Sequence, residues 1–154
     1  MLKDRGRGVG TNRSALEKMK RLYFRDFASV SENVYYSIIF ERDYPTLSDI
    51  FESAAFEGVE GFRRIGASIG ALGGDPSLNL RLGQSKAKPV DLSRISAQDI
   101  RRIIGYVTQR ERSSISLCED IAAASDDADT IDVVSDIVLK KEELCVRLKR
   151  ILDS

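Results

Sequence analysis

The chain contains no histidine. Imidazole is the commonest general base near neutral pH and the commonest nitrogen ligand for metals. Its absence excludes Ser-His and Cys-His nucleophilic arrangements. Cysteine is scarce: Cys118 and Cys145 are the two thiols in 154 residues. Their spacing fits neither a zinc site nor a redox pair. Both fall in helical patterns, as free buried thiols of a reducing compartment do. No apolar run reaches the roughly 20 residues that cross a bilayer, and no secretory leader opens the chain. The expectation is a cytoplasmic protein that does not enter a membrane. Net charge is zero, so the whole chain offers no pull towards nucleic acid or anionic lipid.

What is present is the composition of one globular domain, 42% apolar and 31% charged, long enough to bury a core. Charge is uneven. Residues 1–13 carry four basic groups and one acid, as do residues 77–96, while the two remaining blocks are each three units acidic. Residues 1–13, rich in glycine and arginine without period, read as a disordered basic arm. Residues 14–154 read as a single four-helix unit.

Ser14 and Glu17 have the spacing of a capping box. Leu16, Met19, Tyr23, Val30, Val34 and Ile38 then recur at helical spacing to about Arg42. A second helix starts at Pro45 or Thr46 and presents Leu47, Ile50, Phe51, Ala54, Ile65, Ile69 and Leu72. Gly73 and Gly74 stop it. Residues 75–95 form a connection of about twenty residues, long for a compact domain. That length suits a crossover from one end of a helix to the other, and it also suits an ordinary loop. Ser96 and Asp99 begin a third helix along Ile100, Ile104, Val107, Ser114, Cys118 and Ile121. After the break at 125–129, a fourth runs along Ile131, Val134, Val138, Cys145, Leu148 and Leu152. The fold class is therefore all-α, an antiparallel four-helix bundle with one long connection between its second and third helices.

Each apolar stripe is interrupted near its middle. The interruptions are Asp26 on the first helix, Glu111 on the third and Lys141, with Leu144 beside it, on the fourth. On the second helix they are Gly58 and Gly61, where each glycine costs about 1 kcal/mol relative to alanine. Unpaired buried charge is costly and paired charge is tolerable. An Asp26–Lys141–Glu111 cluster is one arrangement, with water or a neighbouring side chain over the glycines. Its excess of one negative charge calls for a protonated carboxyl or for help from Asn33 or Ser114. The other arrangement leaves Lys141 at the stripe edge, its ammonium snorkelling to solvent. Gly66 and Gly70 lie on a separate strip that would allow a neighbouring helix to approach closely.

The run Glu41, Arg42, Asp43, Tyr44, Pro45 and the run Leu72, Gly73, Gly74, Asp75, Pro76 resemble the ferritin-like superfamily, especially its rubrerythrin-like and bacterial ferritin-like members. The resemblance extends without gaps from about Arg25 to Pro76. It continues more weakly through 111–115 and 139–144, and so covers nearly everything beyond the arm. It implies a two-metal centre held by a Glu on each of two helices and a Glu-x-x-His on each of the others. By position those ligands fall on Asp26, Glu111, the pair Gly58 and Gly61, and the pair Lys141 and Leu144. Four of the six are lost, and an ammonium stands where metal would sit. The resemblance therefore implies a degenerate centre with no cofactor and no catalytic residue. It implies a structural, interaction or small-ligand-binding role, and a homodimer formed through the flanks of the first two helices, with the Gly66 and Gly70 strip suited to the contact. The alternative is a non-haem di-iron or manganese oxidase or peroxidase, or a metal-binding protein, with an atypical carboxylate site. In it, a one-residue helical bulge turns Glu57 inward to join Asp26 and Glu111 in an all-oxygen site, suited to a hard ion such as manganese or magnesium rather than redox iron, with Glu60 and Glu32 nearby.

Overall fold

The computed structural model describes residues 2–78 and 87–154, with side chains from Arg13 onward. Four α-helices account for most of it: α1 (Leu2–Phe40), α2 (Pro45–Ala71), α3 (Ala97–Ala124) and α4 (Ala128–Asp153). There is no strand among the described residues. None of the described helices is long and apolar enough to cross a membrane.

The ends of the helices follow from local chemistry. Pro45 opens α2, where its fixed φ suits a first turn and its missing N–H is no loss. At the other end Gly73 takes φ +85°, which glycine alone adopts without strain. This lets Gly74 N donate to Ile69 O at 2.9 Å and Gly73 N to Gly70 O at 3.1 Å, closing a Schellman turn. Ser96 and Asp99 cap α3 reciprocally, as their spacing predicts. Asp127 caps α4 by accepting from Thr130 N at 3.0 Å and from the Thr130 hydroxyl at 2.6 Å.

Ser14 behaves differently from the sequence expectation. It lies inside α1, and its hydroxyl accepts from Lys18 Nζ at 3.0 Å rather than capping a helix start. The expected arm at 1–13 coincides with the first residues of α1. Of it, only the side chain of Arg13 is among those described.

Each helix contributes side chains to both of two apolar clusters. Met19 and Leu22 of α1, Ile65 and Ile69 of α2, Leu117, Cys118 and Ile121 of α3, and Val134 and Ile137 of α4 form the first. Tyr36 and Phe40, Leu47 and Phe51, Ile103, Ile104 and Val107, and Leu144 and Leu148 form the second. The link between α2 and α3 starts with Leu78 against the first cluster and ends with Ala87, Val90 and Ile95 against the second. Helix α1 packs on α2 and α3, and α4 packs on the same two.

Two stripes turn differently from the sequence expectation. Beyond Asp26, α1 buries Ser29, Asn33, Tyr36 and Phe40 while Val34 and Ile38 are 43% and 63% exposed. A series of steps of four advances about 40° beyond a full turn at each step, so 26, 30, 34, 38 winds off the buried face. On α4 the buried line is Thr130, Val134, Ile137, Lys141, Leu144 and Leu148. Val138 and Cys145 are half-buried and Leu152 is exposed. Gly66 also has a partner within the chain. A Cβ there would lie 3.0 Å from the Tyr23 ring, so half of the proposed glycine strip is already covered by α1.

Candidate functional site

Between the two apolar clusters lies a polar band. Asp26, Ser29, Glu32 and Asn33 of α1, Glu111 and Ser114 of α3, and Lys141 of α4 are all buried. The structure brings Asp26, Glu111 and Lys141 together. The Lys141 ammonium, on a residue 9% exposed, donates to Asp26 Oδ1 and to Glu111 Oε2, each at 3.0 Å. Lys141 therefore does not snorkel out.

The fourth member was not evident in the sequence. Arg110 donates to Glu111 Oε1 through Nη2 at 2.7 Å and Nε at 3.1 Å. Its Nη2 also reaches Asn33 Oδ1 at 2.9 Å, and its Nη1 lies 3.7 Å from Glu32 Oε1. Tyr106 completes the line by donating to Glu32 Oε2 at 2.5 Å. Asn33 thus gives its amide oxygen to Arg110 rather than assisting the carboxylates directly. Arg110 Nη1 is the one sealed side-chain nitrogen without a hydrogen bond among the described residues. An arginine in a helix, next to the stripe residue Glu111, reads as a solvated charge. The signal that points to it is the charge deficit of the three-residue cluster.

Electrostatics rank the members. Burial alone would raise the Glu111 carboxyl, but the Lys141 and Arg110 cations outweigh it and hold the group below its ordinary value. Burial alone would lower Lys141, but Asp26 and Glu111 outweigh it and hold the ammonium protonated well above its ordinary range. Asp26 is the under-compensated partner. Burial pushes its carboxyl up, Lys141 draws it down without cancelling the shift, and Glu111 pushes it further up. With all groups ionised, three acids (Asp26, Glu32, Glu111) face two cations (Arg110, Lys141), leaving one excess negative charge.

Gly58 and Gly61 border a cleft of about 630 Å³ between α2 and α4. Its floor is the polar band and its walls include Val30, Ile137, Leu139 and Leu144. A Cβ on Gly58 would meet Val30 Cγ2 at 2.7 Å, so Val30 fills part of the space over that glycine. A Cβ on Gly61 would meet Ile137 at 3.4 Å. Leu144 is buried and joins the second apolar cluster. Glu57 and Glu60 lie on the cleft wall. Glu57 pairs with Lys140 at 3.7 Å, and α2 is α-helical throughout 45–71, so the bulge that would turn Glu57 inward is not formed.

These donors do not fit a two-metal centre. Gly58, Gly61 and Leu144 offer no ligand atom, and the Lys141 ammonium lies between the two carboxylates that remain. Among the described residues, no three of His, Cys, Asp or Glu are grouped so as to hold a metal ion. No family model matches the chain, and neither a curated protein nor a solved structure matches it.

Proposed function

We infer that this chain is a ferritin-like antiparallel bundle with a crossover link, in which a lysine-centred charge cluster stands in place of the two-metal centre. Its role is then non-catalytic: it binds a small ligand or a partner rather than activating oxygen or peroxide. The antiparallel arrangement is supported by the order in which the helices meet the two clusters. Along the chain, α1 and α4 pass from the first apolar cluster to the second, whereas α2 and α3 pass from the second to the first. A crossover is supported by the link, which leaves beside that cluster and arrives beside the other.

The single observation that carries the functional reading is the Lys141 ammonium held 3.0 Å from both Asp26 and Glu111. A fixed monovalent cation there pairs with both carboxylates and offers no vacant coordination position, which activation of oxygen or peroxide at a metal needs. The test is elemental analysis of protein purified without added metal, repeated after incubation with iron(II) and with manganese(II). A small fraction of one equivalent per chain is expected in each case. Near two equivalents of either metal would overturn the reading in favour of a di-metal oxidase or peroxidase.

A further inference from the structure

We propose that the cleft between α2 and α4 binds a small primary amine with an apolar body, its ammonium seated against Asp26 and Ser29. The inference rests on the proposed function in one respect: Lys141, not a metal, must be what Asp26 and Glu111 share.

The floor of the cleft supplies the recognition. Asp26 is 4% exposed and uses only Oδ1, on Lys141. Its Oδ2 accepts no hydrogen bond among the described residues, yet it is not one of the sealed unpaired atoms. It therefore opens to the cleft that Asp26 lines. The same holds for Ser29, 5% exposed, whose hydroxyl has no partner among the described residues and which lines the same cleft. Asp26 and Ser29 are three apart on α1, so their side chains are neighbours on one face. Together they place a free carboxylate oxygen and a free hydroxyl oxygen on the same cleft floor, an acceptor set suited to an ammonium.

Charge favours the same ligand. With all its groups ionised the buried network has one excess negative charge, and a bound monocation cancels it. The whole cleft lining has six acidic and three basic side chains, which disfavours anions. Arg64 and Lys140, the two cations at the rim, are each held by an acid: Asp136 at 3.1 Å and Glu57 at 3.7 Å. They do not compete for Asp26. Above the floor, Val30, Ile137, Leu139 and Leu144 offer apolar surface for the ligand's body, and about 630 Å³ is the size of a small-molecule site.

The test is calorimetric titration of the full chain with 3-phenylpropylamine, 3-phenylpropanol and 3-phenylpropionate, which share a body and differ at the head. One amine per chain is expected to bind, with the alcohol and the carboxylate at least about tenfold weaker, a difference of roughly 1.4 kcal/mol. Asp26→Asn should remove the preference for amine over alcohol. Ser29→Ala, a small change that leaves the ion pairs intact, should weaken the amine and leave the alcohol unchanged. Equal binding of amine and alcohol, or no amine binding up to about 10 mM, overturns the proposal even if a variant fails to fold, because the wild-type selectivity decides it. Metal analysis of the same preparation separates the two readings. Metal-free protein that ignores the amine sinks only this inference, whereas two equivalents of bound metal sink the proposed function.

Discussion

At the scale of single residues, the polar band links stability to pH in both directions. Burial pushes the Cys118 thiol from 9.0 to about 12. Lys141, for all its burial, is held above its ordinary 10.5 by Asp26 and Glu111. In both cases the folded state keeps a proton that the unfolded chain has released, so stability falls as pH rises. The decline starts near 9.0 with the thiol, deepens from 10.0 with Tyr36 and Tyr106, whose hydroxyls burial also raises, and steepens past 10.5 with the ammonium. Asp26, also raised, has the same sign in the acid range: its contribution falls as pH climbs from 3.8 through its raised value. Glu111 is lowered, so its contribution is present above 4.5 and is lost as pH falls through its lowered value. Urea midpoints should therefore fall progressively between about pH 8 and 11. Lys141→Met should lose stability near neutrality, by on the order of 3–5 kcal/mol, because two buried carboxylates lose their shared cation. The variant should retain the thiol-driven part of the alkaline decline and the part due to Tyr36 and Tyr106, whose hydroxyls burial also raises, and lose only the ammonium's share above 10.5. A pH series of urea melts on both proteins checks this.

At the scale of the element, α2 tests what its glycines are for. An added Cβ at Gly58 meets Val30 at 2.7 Å, whereas one at Gly70 has nothing within 4 Å. Valine in a helix has essentially one rotamer and cannot swing aside. Gly58→Ala should therefore destabilise by about 1–2 kcal/mol despite better helix propensity. Gly70→Ala should stabilise by about 0.5–1 kcal/mol. Adding Val30→Ala to Gly58→Ala should recover part of the loss, read from thermal melts of the series. Most of the helix layout was legible in the sequence, because stop signals such as Gly73 and the Ser96–Asp99 box are local chemistry. Asp26, Glu111 and Lys141 were legible for another reason: a charge on an apolar stripe must find a partner. Tyr36, Phe40 and Ile137 were missed because a spacing of three and one of four both look helical, and only packing decides which path the stripe takes. Arg110 was missed because a long side chain can reach inward from a flank that periodicity reads as solvated.

At the scale of the whole molecule, the charged band divides one bundle into two apolar cores. Replacing a buried ion cluster with well-packed apolar groups is often neutral or stabilising by about 1–4 kcal/mol. Here the triple change Asp26→Leu, Glu111→Met, Lys141→Met also removes the charge excess, since Arg110 and Glu32 remain as a balanced pair. The triple variant should be at least as stable as the natural chain in urea, in contrast to Lys141→Met alone. A triple variant that unfolds as readily as the single one would show that the band is needed for folding rather than for function. The link between α2 and α3 is anchored in a different way. Gly74 sits against Leu16 at its exit, the Schellman turn sets its direction, and the Ser96–Asp99 box receives it. With both ends clamped by local bonds, its length is nearly a free variable of the fold, since doubling a flexible loop costs only about 0.6 kcal/mol. The bundle can therefore accept a foreign segment at this seam, a position that would let a lineage of such chains acquire new surfaces without disturbing the buried band.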